Sequence, residues 1–353
     1  MNRITMNDRG RRGSRMWQLS PSDDARCPEP CRNPALLGRA GTDSRRTPPT
    51  LPGNVPLYVL MTAAHNEEKY IAQTIESILA QSVQPFRWVI VSDNSSDRTD
   101  AIVSDYARKA DFITLLRVAR EPGRDFGSKG KALRAGYQLL KSNDFQFIGN
   151  VDADITVDAN YFSELMTRCG NDANLGIVGG VIVELQAGKF RERAFNSECS
   201  VAHAAQLVRR SCFDEIGGYA VLKCGGEDWH AQISASMRGW AVKSFRELPI
   251  YHHRPTGTGE SNFVRGQFNE GRADYLLGSD PVFEIAKCAR RVGGVRGASG
   301  LYRLAGFCWS ALKRESRPVD SEFIAFLRKD QRDRVKRLII PFGKSSQLSA
   351  GIH

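Results

Sequence analysis

The sequence predicts an α/β fold: a mostly parallel sheet with helices on both faces, followed by a C-terminal helical extension. Three observations carry this expectation. Apolar runs alternate with amphipathic helices from Leu57 onward. Those runs are apolar almost without interruption, as strands covered on both faces must be. The unusual polar clusters fall where the runs end, and open parallel sheets bind their ligands beyond the carboxyl ends of their strands.

The elements follow in order. LYVLMTAA (57–64) is the first strand, and Ile71, Ile75, Ile78 and Leu79 recur at the period of a helix buried along one side. WVIVS (88–92) is the second strand, Ile102, Val103, Tyr106 and Ala107 stripe a second helix, and ITLLRV (113–118) is the third strand. Ala132, Leu133, Gly136, Tyr137 and Leu140 stripe a third helix, and FQFIGNVD (145–152) is the fourth strand. Beyond Asp154 the alternation loosens. LGIVGGVIVE (175–184) reads as a strand, and the segment to about residue 220 as helix and loop, with FDEIGGY (213–219) a helix end stopped by glycines. WAVKSF (240–245) and PIYHH (249–253) read as two short strands of the same sheet, and helices are expected over roughly 297–314 and 321–340.

Length and composition bound the function. The chain's 353 residues hold one large domain with appendages, and 41% hydrophobic with 25% charged residues argues against overall disorder. Residues 1–55, rich in Arg, Ser, Pro and Gly, read as a disordered basic extension. The net charge of +11 is concentrated at the two ends: +5 over 1–56, +9 over 281–353 and −3 between them. A nucleic-acid partner is therefore not expected, and an anionic membrane surface suits the C-terminal end better. Eight irregularly spaced cysteines read as reduced thiols. No apolar run reaches the length of a membrane span, and the first 25 residues lack the apolar core of a secretion signal. The expected location is the cytoplasm, either free or against the inner face of the cell membrane.

The chemistry centres on NVDADITVDANY (150–161). Residues i and i+2 of a strand face the same way, so a strand ending here aims Asp152 and Asp154 at one spot. Two carboxylates about 4 Å apart repel by roughly 4 kcal/mol at an effective dielectric near 20, so the pair needs a proton, a solvent opening or a cation. The segment reads either as a divalent-cation site or as a polar turn capped by Asp. VDADIT also fits the strand-end D-x-D-x-T of haloacid-dehalogenase phosphohydrolases, with Asp152 as nucleophile, although that strand usually opens its fold.

Five further clusters accompany it: HNEE (65–68), SDNSSD (92–97), GSKGK (127–131), GGEDW (225–229) and YHHR (251–254). In this order and spacing, over about residues 57–255, the six clusters resemble the nucleotide-sugar-dependent inverting glycosyltransferases of family two, of the bacterial surface-polysaccharide type. HNEE stands where that family more often has Tyr before the Asn, and SDNSSD replaces the commoner double Asp with Gly. The resemblance implies a GT-A-like sheet in a catalytic domain over 56–280, with 56–155 as the nucleotide-sugar half and 156–280 as the acceptor half. Residues 281–353 then form the basic helical extension.

The family places nucleotide-sugar contacts at Ala64, Glu67, Asp93, Lys129, Lys131 and Asp152. It places the metal, Mg2+ or Mn2+, on Asp154, with His252 as a candidate second ligand, and a catalytic base at Asp228 beside Glu227. Bland readings stand beside these. Glu67 and Glu68 also suit a helix dipole, Ser95 and Asp97 suit a helix cap, the lysines suit solvent, and Glu227 and Asp228 suit a helix start. What the resemblance implies is transfer of a sugar from a nucleoside-diphosphate sugar, with UDP expected, to a glycan or polyprenyl-linked hydroxyl. No Q-x-x-R-W motif follows the acidic pair of GGEDW, which in this family implies single-sugar addition, and a catalytically inactive sugar-nucleotide-binding relative is the remaining alternative.

The Leu301, Leu304, Ala305, Cys308, Ala311 and Leu312 stripe, flanked by Arg303, Lys313 and Arg314, suits either packing on the domain or lying on a membrane.

Overall fold

The computed structural model describes residues 50–51, 55–119, 127–186, 188–193, 196–254, 263–292 and 298–339. Nearly all of the 1–55 extension lies outside these residues; within it, β1 (Thr50–Leu51) pairs antiparallel with β2 (Val55–Pro56). The predicted strand and helix units then appear in order: β3 (Tyr58–Ala64), α1 (Ile71–Leu79), β4 (Arg87–Asp93), α2 (Thr99–Ala107), β5 (Ile113–Val118), α3 (Ser128–Leu140) and β6 (Phe147–Val151). These four strands run parallel in the order β5-β4-β3-β6.

Their alternate residues supply two cores. Tyr58, Leu60, Trp88 and Ile90 meet Ile71, Ile75 and Ile78 of α1 on one face. Val59, Met61, Val89 and Val91 meet Ala132 and Leu133 of α3 on the other. A strand buried on both faces can spare no polar side chain, which is why these runs read as continuously apolar.

The second half of the sheet mixes directions. It contains β7 (Ile155–Val157), β8 (Leu175–Gln186), β9 (Lys189–Glu192), β10 (Ala205–Arg209) and β11 (Ala241–His252), and the path continues β6-β10-β8-β11-β7 with β9 on β8. β10 runs antiparallel to both β6 and β8, while β8 and β11 are parallel. The two short strands expected at 240–245 and 249–253 are one strand, with a register shift between Phe245 and Pro249. β10 falls where helix and loop were expected, and its residues are buried on both faces, so they offer no alternation to read.

Helix α4 (Tyr161–Asn171) covers the α1 face, and α5 (Arg210–Glu215) and α6 (Glu227–Met237) cover the α3 face. α5 ends at Gly217 and Gly218, as FDEIGGY suggests. Four helices follow: α7 (Phe263–Leu276), α8 (Pro281–Val292), α9 (Ala298–Leu312) and α10 (Ser321–Ile339). α9 packs on α7 and α8, and α10 joins α6 through Phe323, Leu327 and Ile233. Cysteines 169, 212, 224, 288 and 308 are free, but Cys199 is disulfide-bonded, so the all-thiol expectation fails there.

Candidate active site

The acidic turn is held from three sides. β6 ends at Val151, so Asp152 and Asp154 lie in the short connection to β7 rather than on a strand. The Thr74 hydroxyl on α1 lies 2.9 Å from the Ala153 carbonyl and 2.8 Å from that of Ile155. The Asp152 N–H donates to the Ala204 carbonyl at 2.7 Å, and the Asn150 amide donates to the His203 carbonyl and, at 3.2 Å, to Asp152 Oδ1.

The charge problem is solved by separate cations. Lys129, in the first turn of α3, reaches Asp152 Oδ1 at 2.6 Å. Arg254 donates from Nε to Asp154 Oδ2 at 2.9 Å and from its other arm to Glu67. Burial opposes the charge on Lys129, yet Asp152, with Asp228 and Glu227 behind it, outweighs burial and raises its pKa, so it stays an ammonium.

Strand register explains how Arg254 arrives. β11 runs antiparallel to β7 with His252 opposite Ile155, and the His253 N–H donates to the Asp154 carbonyl at 3.0 Å. His252 Nδ1 bonds to the Arg254 carbonyl. A carbonyl only accepts, so Nδ1 carries the proton. Nε2 is then turned to Asp154 Oδ1, 3.6 Å away. The two expected metal ligands are thus neighbours. Among the described residues no three of His, Cys, Asp or Glu form a metal cluster. A carboxylate and an imidazole fit Mg2+ or Mn2+ provided that phosphate and water oxygens complete the shell.

Other expected contacts have definite places. Ala64 ends β3, and Asp93 ends β4, buried, its carbonyl accepting from His65 Nδ1 at 2.6 Å. Glu67 and Glu68 precede α1, which has no acid in its first turn, so the helix-dipole reading fails for both. Glu67 goes to Arg254, and Glu68 accepts from the Arg98 N–H at 3.1 Å. Asp97 serves the α2 start, accepting from the Thr99 N–H at 3.0 Å, and also holds the Glu68 N–H. GSKGK is itself the first turn of α3 rather than a loop before it, and Lys131 is exposed there, away from the Lys129 contact.

The acidic pair of GGEDW opens α6, after Gly226 in the left-handed region at φ 89°. Burial pushes the Glu227 carboxyl up to about 7, and burial also raises Asp228. Asp228 lines a cavity of ≈ 360 Å³ together with Asp152, His203 and His252.

His203 was not expected. It is buried, burial and Lys129 lower its pKa well below the imidazole range, and its Nε2 has no hydrogen-bond partner among the described residues. Among the alanines of VAHAAQLVRR only the isolated polar ring could have drawn attention.

The model of the family described as "Glycosyl transferase family 2" matches residues 60–226, a range that holds five of the six clusters in whole or in part. Residues 60–226, a little under half of the chain, carry a glycosyl transferase family 2 domain. The hydrolase reading of VDADIT gives way, because that segment is internal to the glycosyl transferase match. Probable glycosyltransferase YdaM of Bacillus subtilis is 27% identical over 222 residues, which are 57% of this chain and 51% of that protein. Beta-monoglucosyldiacylglycerol synthase of Trichormus variabilis is 25% identical over 190 residues, 53% of this chain and 38% of that one. The chain spans 33–57% of the length of the first curated relatives it matches. A solved mannosyltransferase from Pyrobaculum calidifontis, in complex with GDP-Man and Mn2+, aligns over 83% of this chain and 84% of its own at 14% identity and a TM-score of 0.48.

Proposed function

We propose that this glycosyl transferase domain moves a sugar from a nucleoside-diphosphate donor, with uridine as the nucleoside, to a hydroxyl acceptor with inversion at the anomeric carbon. The observation that carries the reading is the shared cavity: Asp228 faces the same space as Asp152 and His252, so a base and the leaving-group residues bracket one substrate-sized volume. Inversion in one displacement needs this division, with the base on the side of the anomeric carbon away from the leaving group.

The acceptor oxygen attacks the anomeric carbon, the bond from that carbon to the diphosphate oxygen breaks, and the acceptor proton passes to the Asp228 carboxylate. Its raised pKa improves Asp228 as a base. Lys129 sets an ammonium beside the diphosphate end of the cavity, while Asp93 and Glu67 meet the base and the ribose. Asp154 and His252 would hold a divalent cation, which when bound would neutralise charge on the diphosphate. A lipid-linked acceptor and a role in envelope or surface-polysaccharide synthesis are the finer reading. It is supported by the glucosyldiacylglycerol, a glycolipid, in the name of the Trichormus relative.

The test is release of nucleoside diphosphate from a panel of UDP- and GDP-sugars, with acceptor present and the anomeric configuration of the product read by NMR. Asp228→Asn should lower kcat by roughly 10²–10⁴-fold and leave donor binding intact. Retained configuration, or full turnover by the variant, would remove Asp228 from the base role.

A further inference from the structure

Helix α9 is amphipathic in the wrong sense for a helix that faces water. Its only charged residue, Arg303, is turned inward: Nε donates to Asp274 at 2.7 Å, Nη2 lies 2.6 Å from the same carboxylate, and Glu284 is 3.4 Å away. Gly300, Gly306, Phe307 and Ser310 are buried with it. α7 and α9 cross so closely that a Cβ on Gly306 would meet the Phe268 carbonyl at 2.0 Å. Outward stand Leu301, 61% exposed, Trp309, 49%, and Leu312, 82%, with Tyr302, Ala305 and Cys308 among them.

The neighbouring helix α8 repeats the pattern. Glu284 is fully buried and paired with Lys287 at 2.6 Å, while Val282 and Ile285, one turn apart, are 63% and 56% exposed. Five of the six residues of the 301–312 stripe, all but Leu304, are exposed rather than packed on the domain. Both helices turn their paired ions inward and set large apolar side chains outside, the reverse of a soluble surface.

The charges around this face select its partner. Residues 281–314 hold seven Lys and Arg and a single acid, Glu284, which is buried. Arg290, Lys313 and Arg314 are exposed at the ends of the two helices, and Lys313 lies over the Trp309 ring at 5.1 Å. An apolar face with Trp and Tyr, bounded by bases and free of acids, matches an anionic bilayer: acyl chains below, phosphates at the rim. No helix among the described residues is long and apolar enough to cross a membrane. We propose that α8 and α9 dock the protein flat on an anionic lipid surface, with Leu301, Trp309 and Leu312 entering the interface. This surface is separate from the active site and does not depend on the reaction proposed for it.

The test is co-sedimentation of the full chain with vesicles of phosphatidylglycerol and phosphatidylcholine, against vesicles of phosphatidylcholine alone. Binding is expected to the anionic vesicles and to fall at high salt. The double variant Leu301→Glu, Leu312→Glu should lower the vesicle partition on the order of tenfold or more, and Lys313→Ala about fivefold. Both leucines are exposed, so the fold should survive, which a thermal unfolding curve checks. Quenching of Trp fluorescence by brominated lipid, absent in Trp309→Phe, should report the same insertion independently. Equal recovery in the supernatant with and without anionic vesicles overturns the proposal. So does light scattering that shows a dimer which the leucine variants split, because the face then binds a second copy. Either result leaves the transferase assay unaffected.

Discussion

Glu227→Gln isolates one buried charge. Glu227 is 7% exposed, and burial raises its carboxyl from 4.5 to about 7. At that exposure solvent screening is slight, and the shift corresponds to about 3 kcal/mol. The sign follows from proton binding. The folded state holds this proton more tightly than the unfolded chain, so stability is full below pH 4.5, falls as pH rises through the window and levels off above about 7.

Glutamine fills the same space and does not titrate. Urea unfolding of both proteins at about pH 5 and about pH 8, without nucleotide or metal, gives the comparison, since titrating groups that do not interact with Glu227 cancel in the difference. The Gln variant should gain on the wild type by most of that 3 kcal/mol between the two conditions. A difference that does not change with pH would mean that Glu227 ionises as freely when folded as when unfolded, and its burial beside Lys129 would be wrongly drawn.

Three further outcomes follow from contacts at the sheet and the cavity. A Cβ at Gly149 would come within 2.6 Å of Leu60 Cδ2 and 2.9 Å of the Gln206 carbonyl, so Gly149→Ala should cost about 1–3 kcal/mol, seen as a lower urea midpoint at constant slope. His203→Phe keeps the ring packed on Tyr219, 4.7 Å between centroids, but removes the unpartnered Nε2. Its kcat/KM should fall about tenfold if that nitrogen meets substrate, and a wild-type value would show that it does not. Asp154→Asn should cut diphosphate release by roughly 10–100-fold or more, with saturating Mg2+ or Mn2+ failing to restore it; full rescue by metal would assign Asp154 to holding Arg254 alone.

The first half of the fold was legible because a parallel strand buried on both faces leaves a continuous apolar run, and Ile71, Ile75 and Ile78 repeat at helical period beside it. The clusters at the strand ends were legible for the same reason: polar residues stand out where apolar runs stop. β10 was not, since Ala205, Gln206, Leu207 and Val208 are all buried and give no alternation, and Gln206 answers the Tyr219 hydroxyl at 2.7 Å rather than water. The two cations were half visible. Lys129 and Arg254 could be picked out, but their pairing with Asp152 and Asp154 spans 23 and 100 residues and depends on strand register. The 301–312 stripe was visible as a stripe, yet periodicity reports only that one side is apolar. The burial of Arg303 told which way that side faces.

The C-terminal helices do more for the site than their separation in sequence suggests. α6 carries Glu227 and Asp228 on its first turn, with no side-chain cap to hold that end. Its far side is braced by α10, where Phe323 and Leu327 bury Ile233 and the Phe323 ring stacks on His230 at 4.9 Å. α10 is tied in turn to the start of α8, through Gln331, which accepts from the Asp280 N–H at 2.7 Å, and Arg332, 2.6 Å from the Asp280 carboxylate. The proposed base therefore rests on the same helical layer that carries the proposed lipid-facing surface. A protein docked through α8 and α9 would hold Asp228 at a fixed height above the bilayer, which is what transfer to a lipid-linked hydroxyl requires.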